Sequence, residues 1–209
     1  MKTLTIRTIV FDVGGVLVHN PAQGLLEESA AAWDISVKSF KPPYLNHFSE
    51  YERGIISVEK FYELILIDLG HESKYNCEKA THVWFNACRK IFIKKWDTLK
   101  LVAKLKSHNY NLALLSNTEP QTTHLFKNWG FEQLFKTQIY SCFEACAKPS
   151  PEIYHLLEKR TNSKGNEILF IDDKLENIQA ASLRNWHCIH YQNEVQFHQE
   201  IKKYLGRLL

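Results

Sequence analysis

The sequence predicts an α/β fold: a Rossmann-like parallel sheet buried on both faces, with an α-helical cap inserted after its first strand. Three observations predict it. Five short apolar runs occupy residues 6–13, 111–117, 138–142, 168–172 and 187–191. Segments with helical spacing accompany them, the alternation that builds a parallel sheet covered by helices. The gap from residue 13 to residue 111 is far longer than one crossover helix requires, so it must hold more than a connection.

The first run ends in Asp12-Val13-Gly14-Gly15. The stretch MKTLTIRTIVFDVGG has a basic start, but Arg7 interrupts it, Asp12 ends it and no small-residue cleavage site follows. It reads as a first strand. Residues 20–96 read as helical throughout. Ser57 can cap a helix carrying Val58, Phe61, Ile65 and Leu69 on one face, with Gly70 to end it. Val83, Trp84, Ala87, Cys88 and Ile91 form a second stripe. Residues 1–19 and 97–209 are therefore assigned to the α/β core and 20–96 to the helical cap. A core helix starting near Asp97 is expected to turn Leu99, Val102, Ala103 and Leu105 inward. The second run ends in Ser116-Asn117-Thr118. Lys148-Pro149 precedes a helix that Ser150 can cap, Pro151 can open and Ile153, Leu156 and Leu157 can bury. The fourth run ends in Asp172-Asp173.

Composition excludes several classes. Apolar residues make up 44% of the chain and charged residues 23%, which rules out disorder. A formal charge of +3 with dispersed basic residues argues against nucleic-acid binding, and Lys94-Lys95 is read as part of a solvated helix face. The sequence has no apolar stretch long enough for a membrane span. Five cysteines without C-x-x-C spacing read as reduced, mostly buried thiols of a cytoplasmic protein. Oligomeric state is not legible.

The polar residues at the strand ends carry the chemistry, because ligands of an open parallel sheet bind beyond the carboxyl ends of its strands. Carboxylates from two strands repel unless a cation sits between them, so Asp12 with Asp172 and Asp173 implies a hard, oxygen-ligated ion. Mg2+ suits the set, since it uses few protein carboxylates and shares a substrate phosphate oxygen. Lys148 and Ser116 add a positive charge and a donor for phosphate. Asp12 then faces phosphorus as a nucleophile.

These residues also carry a resemblance. IVFDVGGVLV, LALLSNT, AKPSPEIY and FIDDKLENI look like the four ordered motifs of haloacid dehalogenase-like hydrolases. The cap stretch YERGIISVEKFYELI is similar to the small sugar-phosphatase branch, which includes a bacterial glucose-1-phosphatase and the phosphatase domain of soluble epoxide hydrolase. The resemblance implies a sheet ordered 5-4-1-2-3. It implies a Mg2+-dependent phosphatase acting on a small phosphorylated substrate, such as a sugar phosphate, through an aspartyl-phosphate. It also implies metal ligation by Asp12, the Gly14 carbonyl, Asp173 and, directly or through water, Asp172. Ser116, Asn117 and Lys148 would hold phosphate.

One departure matters. Most such phosphatases place a second aspartate two residues after the nucleophile to protonate the leaving group, and this sequence has Gly14 there. A general acid contributes ~10²–10⁴-fold, so without a replacement the enzyme should favour acidic leaving groups. His19 is the nearest substitute in sequence. Trp33, Tyr44, His47, Glu52 and Arg53 are candidates for the cap side of the cleft, with core packing the competing reading, and Asn177 is read as supporting the acidic pair. Two alternatives remain: a pseudo-phosphatase that binds without turnover, and a metal-free haloacid dehalogenase using the same aspartate. The adjacent Asp172-Asp173 argues against the second, since they would repel a carboxylate substrate.

Overall fold

The computed structural model describes residues 6–206; residues 1–5 of the expected first-strand stretch lie outside the described residues. Among the described residues, five parallel strands form one sheet in the order β3-β2-β1-β4-β5. They are β1 (Thr8–Phe11), β2 (Asn111–Ser116), β3 (Thr137–Tyr140), β4 (Ile168–Asp172) and β5 (His187–His190). This is the expected order read from the other edge. The central β1 pairs Ile9 with Leu112 and Leu169, and Phe11 with Leu114 and Ile171.

Side chains alternate across each strand, and both faces are buried, which is why the strands read as unbroken apolar runs. Ile9, Phe11, Leu112, Leu114, Leu169 and Ile171 belong to one apolar cluster. Val10, Ala113, Leu115, Ile168 and Phe170 belong to the other. The second face is covered by α9 (Pro151–Thr161) and α10 (Leu175–Ser182), which contribute Ile153, Tyr154, Leu157, Ile178 and Ala181. The first face takes α5 (Trp96–Ser107) and α11 (Glu194–Leu205).

Four longer helices fill the stretch between β1 and α5: α1 (Ala22–Ala32), α2 (Val37–Glu52), α3 (Val58–Asp68) and α4 (Cys77–Ile91). Ser57 caps α3 by accepting from Lys60 N at 3.3 Å, and Gly70 follows it with φ +67°. The aromatic interior of this bundle, with Tyr51 stacked on Phe61 and edge-on to Trp84, is continuous with the apolar cluster of the first sheet face. The chain leaves and re-enters the sheet region side by side: His19 N donates to Ile93 O at 2.9 Å and Lys95 N to Leu17 O at 2.8 Å. Between β2 and α9 lie α6 (Pro120–Asn128), α7 (Phe131–Leu134) and α8 (Ser141–Glu144).

Three local expectations are corrected. In α5 the buried stripe is Thr98, Leu101, Val102 and Leu105; Leu99 is half-buried and Ala103 exposed. The stripe runs 98, 101, 102, 105, one helical face, and a threonine at its head disguised the phase. Ser150 occupies the cap position of α9 but makes no capping bond; its hydroxyl goes to the Glu152 carboxylate. Lys94 and Lys95 are not on a helix face. Lys94 lies over the Trp96 and Trp129 rings, and Lys95 Nζ donates to Gly15 O at 2.5 Å. No helix among the described residues is long and apolar enough to cross a membrane.

Candidate active site

The site is assembled at the carboxyl end of the sheet. Asp12 is the residue after β1, and its amide stays in register by donating to Ile171 O at 2.9 Å. Ser116 ends β2, Asp172 ends β4, and Lys148 stands just before α9. The Asn117 side chain clamps the lysine's backbone twice, donating from Nδ2 to Lys148 O at 2.9 Å and accepting from Lys148 N at 2.8 Å. Lys148 Nζ reaches Asp12 Oδ1 at 2.8 Å and Asp172 Oδ2 at 2.6 Å. Asp12, Lys148 and Asp172 are 6%, 5% and 0% exposed, so this ion triad is desolvated and depends on its pairing.

The carboxylates differ in what they touch. Oxygens of Asp12, Asp172 and Asp173 all lie within 4.8 Å of one another. Both Asp172 oxygens are occupied: Oδ1 accepts from Lys174 N and Asn177 Nδ2, Oδ2 from Lys148 Nζ and Asn177 Nδ2. Asp173 Oδ2 accepts from Asn20 Nδ2 at 3.4 Å, while its Oδ1 is buried without a hydrogen-bond partner among the described residues. Burial pushes the Asp12 carboxyl up to about 7; Lys148 opposes this, and the charges of Asp172 and Asp173 add to it. Asp173 is raised by burial and then by Asp172. For Lys148, burial alone would release the proton, but the charges of Asp12 and Asp172 reverse the balance and hold it.

The donor set fits a metal. Three carboxylates face one buried ammonium, an excess of two negative charges when all are ionised, and one buried carboxylate oxygen has no partner among the described residues. An all-oxygen cluster with that charge matches a hard divalent cation. Gly15 is required for it: its φ is +76°, and a Cβ there would sit 2.1 Å from Asp173 Oδ2. Gly14 has room, since a Cβ would meet Pro21 Cδ at 3.6 Å.

A cleft of about 130 Å³ opens over these groups. Asp12, Gly14, Ser116, Asn117, Lys148, Asp173 and Asn177 line it, so nearly all the residues read from sequence converge, and Asp172 stands directly behind them. Ser116 is buried, and its hydroxyl makes only a long 3.5 Å contact to Asn117 O, which leaves it available.

Other candidates are placed elsewhere. His19 is exposed and borders a surface depression with Lys94 and Trp96, outside the cleft. Trp33 and Tyr44 are buried among helices α1–α4, and His47 Nε2 pairs with Asp68 at 2.8 Å. Arg53 Nε turns back to Ser49 O. Of that group, Glu52 lines the cleft. Sequence reasoning missed Asn20, Lys95 and Glu119, and the apolar wall of Leu25, Phe48, Phe92 and Phe126. Glu119 carried a signal, an acid directly after the strand-end Ser116-Asn117-Thr118; the wall carried none, because its members read as core.

Comparison with known proteins bears on this arrangement. The profile of the haloacid dehalogenase-like hydrolases matches residues 6–183. D-ribitol-5-phosphate phosphatase of Bacteroides thetaiotaomicron is 24% identical, over 94% of this chain and 97% of its own length. A haloacid dehalogenase-like hydrolase from Porphyromonas gingivalis superposes with a TM-score of 0.78 at 26% identity, covering 97% of this chain and 99% of that one. A haloacid dehalogenase family enzyme from B. thetaiotaomicron, solved with magnesium and inorganic phosphate, shares the fold at TM-score 0.70 and 21% identity, over 90% and 94% of the two chains. With the family profile spanning four of the five strands, the inserted helices and the acidic cluster alike, the chain belongs to the haloacid dehalogenase-like hydrolases.

Proposed function

We propose that this hydrolase is a magnesium-dependent phosphatase that cleaves a small phosphorylated metabolite through an aspartyl-phosphate on Asp12. The observation that carries the reading is the acidic cluster around one buried lysine, with Asp173 Oδ1 left without a partner. Asp12 is the nucleophile, and Asp12, the Gly14 carbonyl and Asp173 would hold the ion. Mg2+, when bound, neutralises carboxylate and phosphate charge so that the two can meet. Asp172 keeps Lys148 aimed, because its own oxygens are already filled by four donor contacts. Lys148 and the Ser116 hydroxyl bind the transferring phosphoryl oxygens, and Asn117 fixes Lys148 through its backbone.

A phosphatase-named relative of full length and a structural neighbour holding magnesium and phosphate support this reading. The division into an α/β core of residues 1–19 and 97–209 and a cap of residues 20–96 belongs to the same proposal, with the paired segments around residues 17–19 and 93–95 as its hinge. The deciding experiment is hydrolysis of p-nitrophenyl phosphate by the purified chain. Activity is expected with Mg2+, with poor substitution by Ca2+, whose looser coordination displaces phosphate from in-line geometry, and none in excess chelator. Undiminished activity in chelator would overturn the metal assignment. Phosphate binding without turnover would make the protein a pseudo-phosphatase.

A further inference from the structure

Breaking an alkyl phosphate leaves an alkoxide, a poor leaving group unless it is protonated as the bond breaks. Neither Gly14 nor the exposed His19 can supply that proton inside the cleft. The titratable groups lining the cleft are Asp12, Asp173, Lys148, Lys174, Glu52 and Glu119. Asp12 and Asp173 are committed to the phosphoryl group and the cation, Lys148 is bound between two carboxylates, and Lys174 is exposed at the rim. That leaves the two glutamates. Glu119 is the less available of the two: it is 4% exposed, and its Oε2 already accepts from Thr122 Oγ1 at 2.9 Å. Glu52 is half-buried and lines the cleft.

We propose that Glu52, the last residue of α2, is the general acid of this enzyme, contributed by the cap in place of the acid missing at position 14. The inference rests on the phosphatase reading above. Its geometry is built into the fold. Ser141 Oγ donates to Glu52 O at 2.5 Å and accepts from Thr118 N at 2.9 Å, which ties the end of α2 to the loop that carries Ser116 and Asn117. Gly54, two residues on, has φ +68° and lies so close to α8 that a Cβ would stand 2.1 Å from Cys142 O. The backbone that carries this carboxyl is therefore fixed beside the strand-end loop by two contacts that do not involve its side chain.

The surroundings suit an acid. Burial raises the Glu52 carboxyl above its ordinary value, while the charges of Lys174, Lys148 and Arg53 pull it back only in part. It also stands at the negative end of the α2 dipole, which disfavours its ionised form. Leu25, Phe48, Phe92 and Phe126 keep the adjacent cleft apolar.

In the first step an Asp12 oxygen bonds to phosphorus. The ester P–O bond breaks with its electron pair going to the leaving oxygen, which takes the proton from Glu52 and departs as the alcohol. In the second step the Glu52 carboxylate takes a proton from water as that water's oxygen attacks phosphorus. The acyl-phosphate bond breaks, its electrons return to Asp12, and phosphate leaves with Glu52 protonated again.

The test compares wild type, Glu52→Gln and Glu119→Gln on p-nitrophenyl phosphate and on an alkyl ester, glycerol 3-phosphate, with Mg2+. kcat/KM reports phosphoryl transfer to Asp12 alone. Glu52→Gln should hold kcat/KM for the aryl ester within a few-fold and lose ~10²-fold or more for the alkyl ester. Its aryl turnover should show a burst of p-nitrophenolate followed by a slow phase, because aspartyl-phosphate hydrolysis has lost its base. Equal kcat/KM loss on both esters, or loss on neither, overturns Glu52 while leaving the phosphatase reading intact. Selective alkyl loss in Glu119→Gln instead moves the proton to Glu119. A wild-type protein inactive on both esters fails the phosphatase reading itself, and this proposal with it.

Discussion

Asp172 and Asp173 are neighbours in sequence and differ completely in surroundings. Asp172 is fully enclosed, with Lys174 N, Asn177 Nδ2 and Lys148 Nζ filling its oxygens, whereas Asp173 keeps a buried oxygen without a partner. Changes to the carboxylates of this cluster should therefore do different damage. Asp172→Ala strips the buried Lys148 of one of its two counter-charges and should cost ~3–5 kcal/mol of stability, read as a lowered Tm or denaturant midpoint. Asp12→Asn keeps an oxygen that can accept from Lys148, so the fold should survive while turnover is lost. A folded, Mg2+-loaded Asp12→Asn protein with substantial activity would remove Asp12 from its role. Equal stability losses in the two variants would show that the triad is not divided as its hydrogen bonds imply.

Between the residue and the whole, the junction of α2 with α8 and the loop after β2 places Glu52 in the cleft at the strand ends. Ser36 and Ser57 start α2 and α3 by accepting from the amides of Ser39 and Lys60, so each helix begins where its own sequence directs. The turn between them does not depend on local sequence alone. Gly54 needs its positive φ and its missing Cβ because Cys142 O is in the way. Gly54→Ala should cost roughly 1–3 kcal/mol from the left-handed backbone alone. It should also lower kcat/KM through displacement of the α2 end, measurable by thermal melts alongside assays. By contrast Gly70→Ala, where φ is +67° but no atom lies within 4 Å of the added Cβ, should lose stability without losing activity. If both variants lose activity equally, contact with α8 is not what seats the end of α2.

At the scale of the molecule, buried carboxyls make stability depend on pH. Glu119 is pushed by burial from 4.5 to about 7, with the charge of Glu52 contributing. The unfolded chain gives up this proton near its ordinary value while the folded chain holds it to about 7. The group's contribution is therefore full below pH 4.5 and lost as pH rises to 7, an amount of about 3 kcal/mol. Glu119→Gln should match wild type near pH 4 and melt higher at pH 8; a difference that does not change with pH would contradict the burial. Much of this architecture was legible in the sequence. Strands buried on both faces must be apolar from end to end, so the polar residues that close them, Asp12, Ser116 and Asp172, stood out, and the caps at Ser57 and Gly70 are chemistry local to their turns. Which further groups join them in the cleft was decided only by the tertiary structure. His19, seven residues from Asp12, is turned outward by the pairing of its backbone with Ile93, while Glu52, forty residues away, is carried in by bonds through Ser141. Periodicity reports which face of an element is buried, but the direction in which one element docks on another is set by contacts between residues distant in the chain.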